Sequence, residues 1–418
     1  MPYKPLSFAG DPLPTKQPSE TLAILYFAWM GGSSTIGWSA VINCLDYFNA
    51  KYPGENVSFV LPLAVSTAQL VVTLVITHMS NYLSYTSRVY STAVVILALT
   101  SFVPLQAAMF QKTQLGMQMI LVLLFFLGFA NNLLYTSVAG FSSQVGGTYA
   151  AYFLIGVAVF GLLMNLLREI TVLAMPPSNE GDMKNVLVYF AVTVVIIAVG
   201  FVLHSMLLKS EFYKTKCQPK NDEENSQALL LGENSQKGEV KRPQREFKVL
   251  WEVTKDTKFY MFLIFLACIQ QSFSVPGLML KKEVIGMEDH TKTISMNTMF
   301  SIFYIFGKKL GQYRQGYNEK IVVTNVVFRF LLVFFFIVQA WTSAVPILNT
   351  VWFGYLNIAV FGVSMGFANV SLFIMSPEQV QGDKKEVAGF LVVFAINLGT
   401  ILGGFLSLPF AKHSIAGH

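Results

Sequence analysis

The sequence predicts an all-α polytopic membrane protein with about eleven transmembrane helices, and three observations carry that expectation. The first is composition: of 418 residues, 54% are hydrophobic and 12% charged. A soluble domain carries about 25% charged residues, so this chain has too few to cover a soluble surface of its size. The second is length pattern. Apolar runs of roughly 20 residues recur, each long enough as a helix to cross about 30 Å of hydrocarbon. The third is a single long polar interval, 209–256, which divides the runs into six and five. Short segments of alternating polar and apolar residues are absent, which argues against a membrane β-barrel.

In chain order, residues 1–20 read as an irregular tail, because Pro2, Pro5, Pro12, Pro14 and Pro18 interrupt any regular element. The tail has neither the charged and apolar blocks of a cleaved leader nor the Arg-rich and Ser-rich composition of a transit peptide. The expected spans are 21–44, 58–79, 88–110, 117–141, 147–174, 186–208, 257–280, 295–310, 322–344, 350–375 and 385–410. The run 295–310 is the shortest and ends on Lys308 and Lys309. The fourth and fifth runs would be one apolar mass but for Gln144-Val-Gly-Gly147. The expected organisation is thus a tail (1–20), a six-helix bundle (21–208), a polar charged linker (209–256) and a five-helix bundle (257–418). Within the linker, Leu229-Leu-Leu231 reads either as a chance apolar triplet or as a short interfacial contact.

Orientation follows from lysine and arginine. With the N-terminus inside, most of the 29 basic residues face inward, the linker supplying the largest share. The short loops alone are nearly balanced. The net charge of +6 then faces anionic lipid, so no nucleic-acid partner is called for. Asn56-Val-Ser58 is a glycosylation sequon in the first outside loop.

No catalytic or metal-binding set is expected. Cys44, Cys217 and Cys268 are too widely spaced for a metal cluster or a disulfide framework. The five histidines are scattered, without zinc spacing. Neither a Walker-type phosphate loop nor a Gly-x-Ser-x-Gly elbow is present. The chain therefore reads as a non-enzyme that uses no ATP and no cofactor. Charge inside the membrane is the better guide, because it is costly and usually functional. Arg329, in Phe328-Arg-Phe-Leu-Leu-Val, lies within the ninth span. It either faces a central cavity or snorkels to the inner surface.

Small residues mark close helix contacts. Tyr149 and Gly156 stand seven apart on one helix face, and Gly399 and Gly403 stand four apart in the last span. The two last spans read Ser364-Met-Gly-Phe-Ala-Asn-Val-Ser-Leu-Phe-Ile-Met-Ser-Pro377, a short charged loop, Glu386-Val-Ala-Gly389, and Asn397-Leu-Gly399. Pro377 is expected to end the tenth helix. This order resembles the last two membrane helices of the equilibrative nucleoside transporter family. Gly37-Trp38-Ser39 and Asp46-Tyr-Phe48 in the first span resemble the same family's first helix. So does the glycine-rich fifth span, and the resemblance touches nearly every span. It implies Gly156, Gly366, Gly389, Gly399 and Gly403 as helix-packing positions.

The polar positions depart from the family. Its eighth helix reads Phe-Asn-x-x-Asp-x-x-Gly-Arg; here the line is Phe300-Ser-Ile-Phe-Tyr304-Ile-Phe-Gly307-Lys308. Tyr304 replaces an acid, and Lys308 keeps a charge without the planar guanidinium fork. Tyr135 and Val157 stand where the family has glutamines. The resemblance implies a major-facilitator-type arrangement and facilitated transport of nucleosides or nucleobases. The substrate would meet Trp38, Tyr135, Tyr304, Lys308 and Arg329. Lys308 is expected to reach water at the inner surface or to find an acceptor on the first or last helix. The departures leave two other readings. One is a transport-inactive structural subunit held by partner chains in a membrane assembly. The other is a carrier of a different small polar solute. The protein is expected in a lipid bilayer, of the plasma membrane or of an organelle such as the mitochondrial inner membrane.

Overall fold

Long apolar helices make up nearly all of the protein. The computed structural model describes residues 18–53, 55, 57–175, 181–216, 247–279, 289–341, 347–348 and 350–412. The sequon at Asn56, the Leu229–Leu231 triplet and Cys217 lie outside them. In order, the helices are α1 (Pro18–Ile42), α2 (Leu45–Lys51), α3 (Val57–Tyr82), α4 (Tyr85–Met109), α5 (Gln114–Val145), α6 (Gly147–Ala174) and α7 (Gly181–Lys209). Then come α8 (Glu211–Lys216), α9 (Phe247–Phe273), α10 (Asp289–Gly311), α11 (Glu319–Trp341), α12 (Val351–Glu378) and α13 (Lys384–Lys412). A π-turn, Ser274–Leu278, follows α9.

Each interval expected to span falls on one of these helices. Among the described residues, seven helical stretches are long and apolar enough to cross a membrane: 85–109, 114–145, 147–174, 183–209, 319–339, 351–378 and 384–407. Large apolar side chains such as Leu74, Val94, Phe126, Leu173 and Phe334 lie on the outside of the bundle, as a lipid-facing surface requires. The short eighth run is part of a longer helix, because α10 begins at Asp289. Its polar first turns carry no hydropathy signal. Pro377 lies inside α12, which ends one residue later. Between α5 and α6 the chain turns at Gly146, whose φ of 147° is open to glycine and strained for other residues.

Two sets of helices repeat one packing pattern. In the first set α1 packs on α6 and α3 on α5; in the second α9 packs on α13 and α10 on α12. Glycine makes these approaches close. A Cβ on Gly156 would overlap the Ala28 carbonyl of α1, and one on Gly31 the Phe153 carbonyl of α6. In α13, a Cβ on Gly399 would meet Phe265 and one on Gly403 would meet Ile269. In α12, one on Gly366 would meet Tyr304.

The sets meet where α5 packs on α13 and α6 on α10 and α12. At the end of the bundle that holds the α3–α4 and α12–α13 turns, this junction is polar. Arg88 Nη2 donates to Glu386 Oε1 at 2.9 Å, both side chains being nearly fully buried. Gln144 donates to Asp383 at 3.3 Å, and a Cβ on Gly389 would lie 2.9 Å from the Gly140 Cα. Arg314–Glu378 at 2.9 Å and Lys384–Glu252 at 3.0 Å add exposed pairs at this charged end. The Lys384 ammonium, by hydrogen bond and charge, holds the exposed Glu252 carboxyl below its ordinary pKa. Deeper in, the amide of Asn397 donates to Asn132 Oδ1 at 3.3 Å, and Asn132 donates to the Gln69 carbonyl at 2.7 Å.

Candidate functional site

Four of the five residues expected to meet substrate gather around Tyr304. Gly307 and Gly366 let α10 and α12 approach backbone to backbone, which sets the α10 side chains deep in the junction. The Lys308 ammonium lies 4.4 Å from the centre of the Tyr304 ring. It donates to the Leu154 carbonyl of α6 at 2.7 Å, so it ties the two helix sets together. Asn369 of α12 donates to the Tyr304 hydroxyl at 2.7 Å. Tyr135 of α5 approaches Tyr304 and packs on Phe153 of α6, with ring centres 5.0 Å apart. Arg329 of α11 donates from Nη2 to the Ala267 carbonyl of α9 at 2.9 Å. Its guanidinium carbon lies 5.1 Å from the Phe361 ring centre, a cation–π distance.

One sequence expectation needs correction, and one pair of open readings narrows. Lys308 does not reach water: it is 1% exposed. Its acceptor comes from neither the first nor the last helix but from a backbone carbonyl of α6, because Gly307 presses α10 too deep for snorkelling. Arg329 is 0% exposed, and the α9 carbonyl holds it inside. Trp38 of α1 is half-buried and packs against the same apolar core as Tyr135 and Tyr304, and its neighbour Gly37 faces the Asn131 amide and the Thr100 hydroxyl.

Sequence reasoning passed over three contributors. Asn369 lies in the stretch singled out for its small residues, and an amide within so apolar a run was the available signal. Arg88 was counted only as loop charge. The Leu154 carbonyl has no sequence signal, since any residue supplies one.

Tyr135 and Tyr304 remain half-buried while the two cations are sealed. A separate cavity of about 580 Å³ lies among α10, α11 and α12, with Met299, Phe303 and Asn325 in its walls and exposed Trp352 and Leu356 at its rim. It is an apolar outer groove and does not include the charged cluster. No group of metal ligands occurs among the described residues.

Two packed helix sets with polar groups converging between them make a membrane-protein fold of the major-facilitator type. Solved structures bear out that fold. The E. coli fucose:proton symporter FucP superposes with a TM-score of 0.65, at 12% identity over 95% of this chain and 92% of that one. The proton:xylose symporter XylE superposes with a TM-score of 0.66, at 11% identity over 94% and 89%. Residues 119–412 match the family model described as nucleoside transporter, and the chain belongs to that family. Among curated relatives, equilibrative nucleotide transporter 1 of Arabidopsis thaliana is 22% identical over 399 residues, 94% of this chain and 87% of that protein. Equilibrative nucleotide transporter 8 of the same plant is 19% identical over 402 residues, 95% and 96%.

Proposed function

We propose that the chain carries nucleosides or nucleobases across a lipid bilayer by facilitated transport, alternating access between its two helix sets without ATP. The observation that carries this is the convergence at Tyr304. Tyr135 and the Leu154 carbonyl arrive from one set; Lys308, Arg329 and Asn369 arrive from the other. Carriers of this architecture bind substrate between the halves and rock around it. On this reading residues 21–208 and 257–418 are the moving halves, and 209–256 joins them. The two tyrosines offer hydroxyls to the solute, Trp38 offers a ring face, and the cations set the charge of the cavity. This is transport rather than catalysis.

The test is uptake by the full-length protein in liposomes, using labelled adenosine, uridine, hypoxanthine and acidic derivatives of the same rings. Saturable uptake of any of them, above empty liposomes, is expected. Uptake of none, with the protein intact, would replace this reading with a structural role alongside partner chains.

A further inference from the structure

Among the described residues, the cluster around Tyr304 holds two cations and no anion. Among the described residues the ion pairs are Arg88–Glu386, Arg168–Asp46, Arg314–Glu378 and Lys384–Glu252. Lys308 and Arg329 are in none of them, although both are essentially fully buried. A guanidinium keeps its charge in any protein environment, and a buried unpaired charge is expensive. Arg329 uses Nη2 on a carbonyl, while Nε and Nη1 are buried without a partner. Lys308 has three N–H donors, and the described hydrogen bond, to the Leu154 carbonyl, uses one. The neighbours do not supply the missing charge. Tyr304 and Asn369 bond each other, and Cys268, within electrostatic reach of both cations, is a free buried thiol. Arg329 thus keeps two buried N–H groups without acceptors, and oxygen atoms that share a negative charge are strong acceptors for a guanidinium and an ammonium.

Resting on the transport reading above, we propose that Lys308 and Arg329 form an oxyanion subsite. The carried solute is then a nucleobase or nucleoside that bears a carboxylate or phosphate group. The acid that this protein lacks on its eighth long helix enters with the substrate. Tyr304 and Tyr135 lie at the half-buried mouth and meet the ring, while the oxyanion passes inward to the two cations. An uncharged solute would leave those cations unpaired and gain little from binding.

The experiment uses full-length protein in liposomes and three labelled probes: uridine, orotate as the ring carboxylate and uridine monophosphate as the phosphate. At least one acid should be taken up saturably, with uridine slower by roughly tenfold or more, as expected when a charge-assisted hydrogen bond is lost. Which acid is carried identifies the oxyanion. Lys308→Met should reduce uptake of that acid by a similar factor, and Lys308→Arg should restore it. Tyr304→Asp supplies an internal anion, so it should abolish uptake of the acid and raise that of uridine. Should the variants fail to fold, wild-type selectivity decides alone. Uridine carried as fast as or faster than both acids would overturn the oxyanion subsite and leave the transport reading intact. If none of the three is carried and none raises the melting temperature, the oxyanion subsite falls, and the transport reading then stands or falls on adenosine and hypoxanthine.

Discussion

Arg88 and Glu386 offer the sharpest energetic test of how the helix sets are held together. The pair joins α4 to α13 at 2.9 Å, with the arginine side chain 2% and the glutamate 11% exposed. Arg88 also lies 5.7 Å from the Phe390 ring centre, and its Nε and Nη1 are buried without partners. Glu386→Gln therefore removes the anion and strands a buried guanidinium. Breaking a buried pair from one side costs about 3–5 kcal/mol. Arg88→Met removes one partner of the carboxylate instead, at a somewhat lower cost, because Glu386 retains partial access to water. Arg88→Met with Glu386→Leu removes both charges, and such exchanges are neutral or stabilising by about 1–4 kcal/mol. The double variant should melt near or above the wild type, while both singles melt well below it. A double-mutant cycle on denaturation in detergent gives the coupling directly. A coupling below about 0.5 kcal/mol, the level at which independent sites add, would refute the reasoning. The same variants should open the charged end. A loss of about 3 kcal/mol from the closed state shifts a two-state equilibrium more than a hundredfold. A cysteine placed at the buried Ser143 should then be labelled much faster in Glu386→Gln than in the wild-type background.

Other outcomes follow from the same geometry. Gly399→Leu and Gly403→Leu should each lower the melting temperature in detergent, since overpacking a close helix contact costs about 1–3 kcal/mol or more; wild-type melting of both would remove the α9–α13 contact argument. Arg168 donates to the Asn43 carbonyl at 3.1 Å, to Asn185 at 2.8 Å and to Asp46 at 2.8 Å. Arg168→Gln should cost more than about 2 kcal/mol, because buried acceptors lose their donor. Asp46→Asn should cost less than about 1 kcal/mol, since that carboxylate is mostly exposed. Deleting about fifteen residues from 217–246 should leave a single folded species on size exclusion, because loop-closure entropy varies only slowly with length.

The fold was legible in the sequence because the membrane enforces it residue by residue. Each apolar run must become a helix to satisfy its backbone, so α1, α3–α7 and α9–α13 could be read from composition before any contact was known. Gly146 was legible for a similar reason, as a glycine pair between two apolar runs. The start of α10 at Asp289 was not, because a polar helical turn outside hydrocarbon looks like a loop. The candidate site was half legible. Tyr304 and Lys308 share a helix face by spacing alone, and Arg329 stands out as charge in an apolar run. Their burial was not legible, because it depends on how closely α10 approaches α6 and α12. That distance is set by Gly307, Gly362 and Gly366 acting on a neighbour whose register no single sequence reveals. Trp38 shows what a resemblance alone supplies: it singles out the residue, and only the fold shows that Trp38 packs against the same apolar core as Tyr135 and Tyr304.

The polar links between the two helix sets are unevenly placed along the bundle, and this bears on what transport would require. Arg88–Glu386 and Gln144–Asp383 lie at the charged end, Lys308–Leu154 one step deeper, and Asn132–Asn397 deeper still. Together they close the charged end of this conformer. Access from that end requires all four to separate, and their costs are unequal. Gln144–Asp383 is exposed and trades readily with water. Asn132 keeps its bond to the Gln69 carbonyl when Asn397 leaves. Arg88–Glu386 and Lys308–Leu154 are the costly ones, because each leaves a cation in a dry place. An oxyanion bound beside Lys308 would offset that cost for the second link, so substrate and opening are coupled through one ammonium group. Lys308→Met separates the two effects. It removes the link and its penalty at once, so the variant should open at the charged end without substrate, seen as faster labelling of a cysteine at the buried Ser143. If labelling in Lys308→Met still depends on a bound acid to the wild-type extent, the ammonium group is not the coupling element.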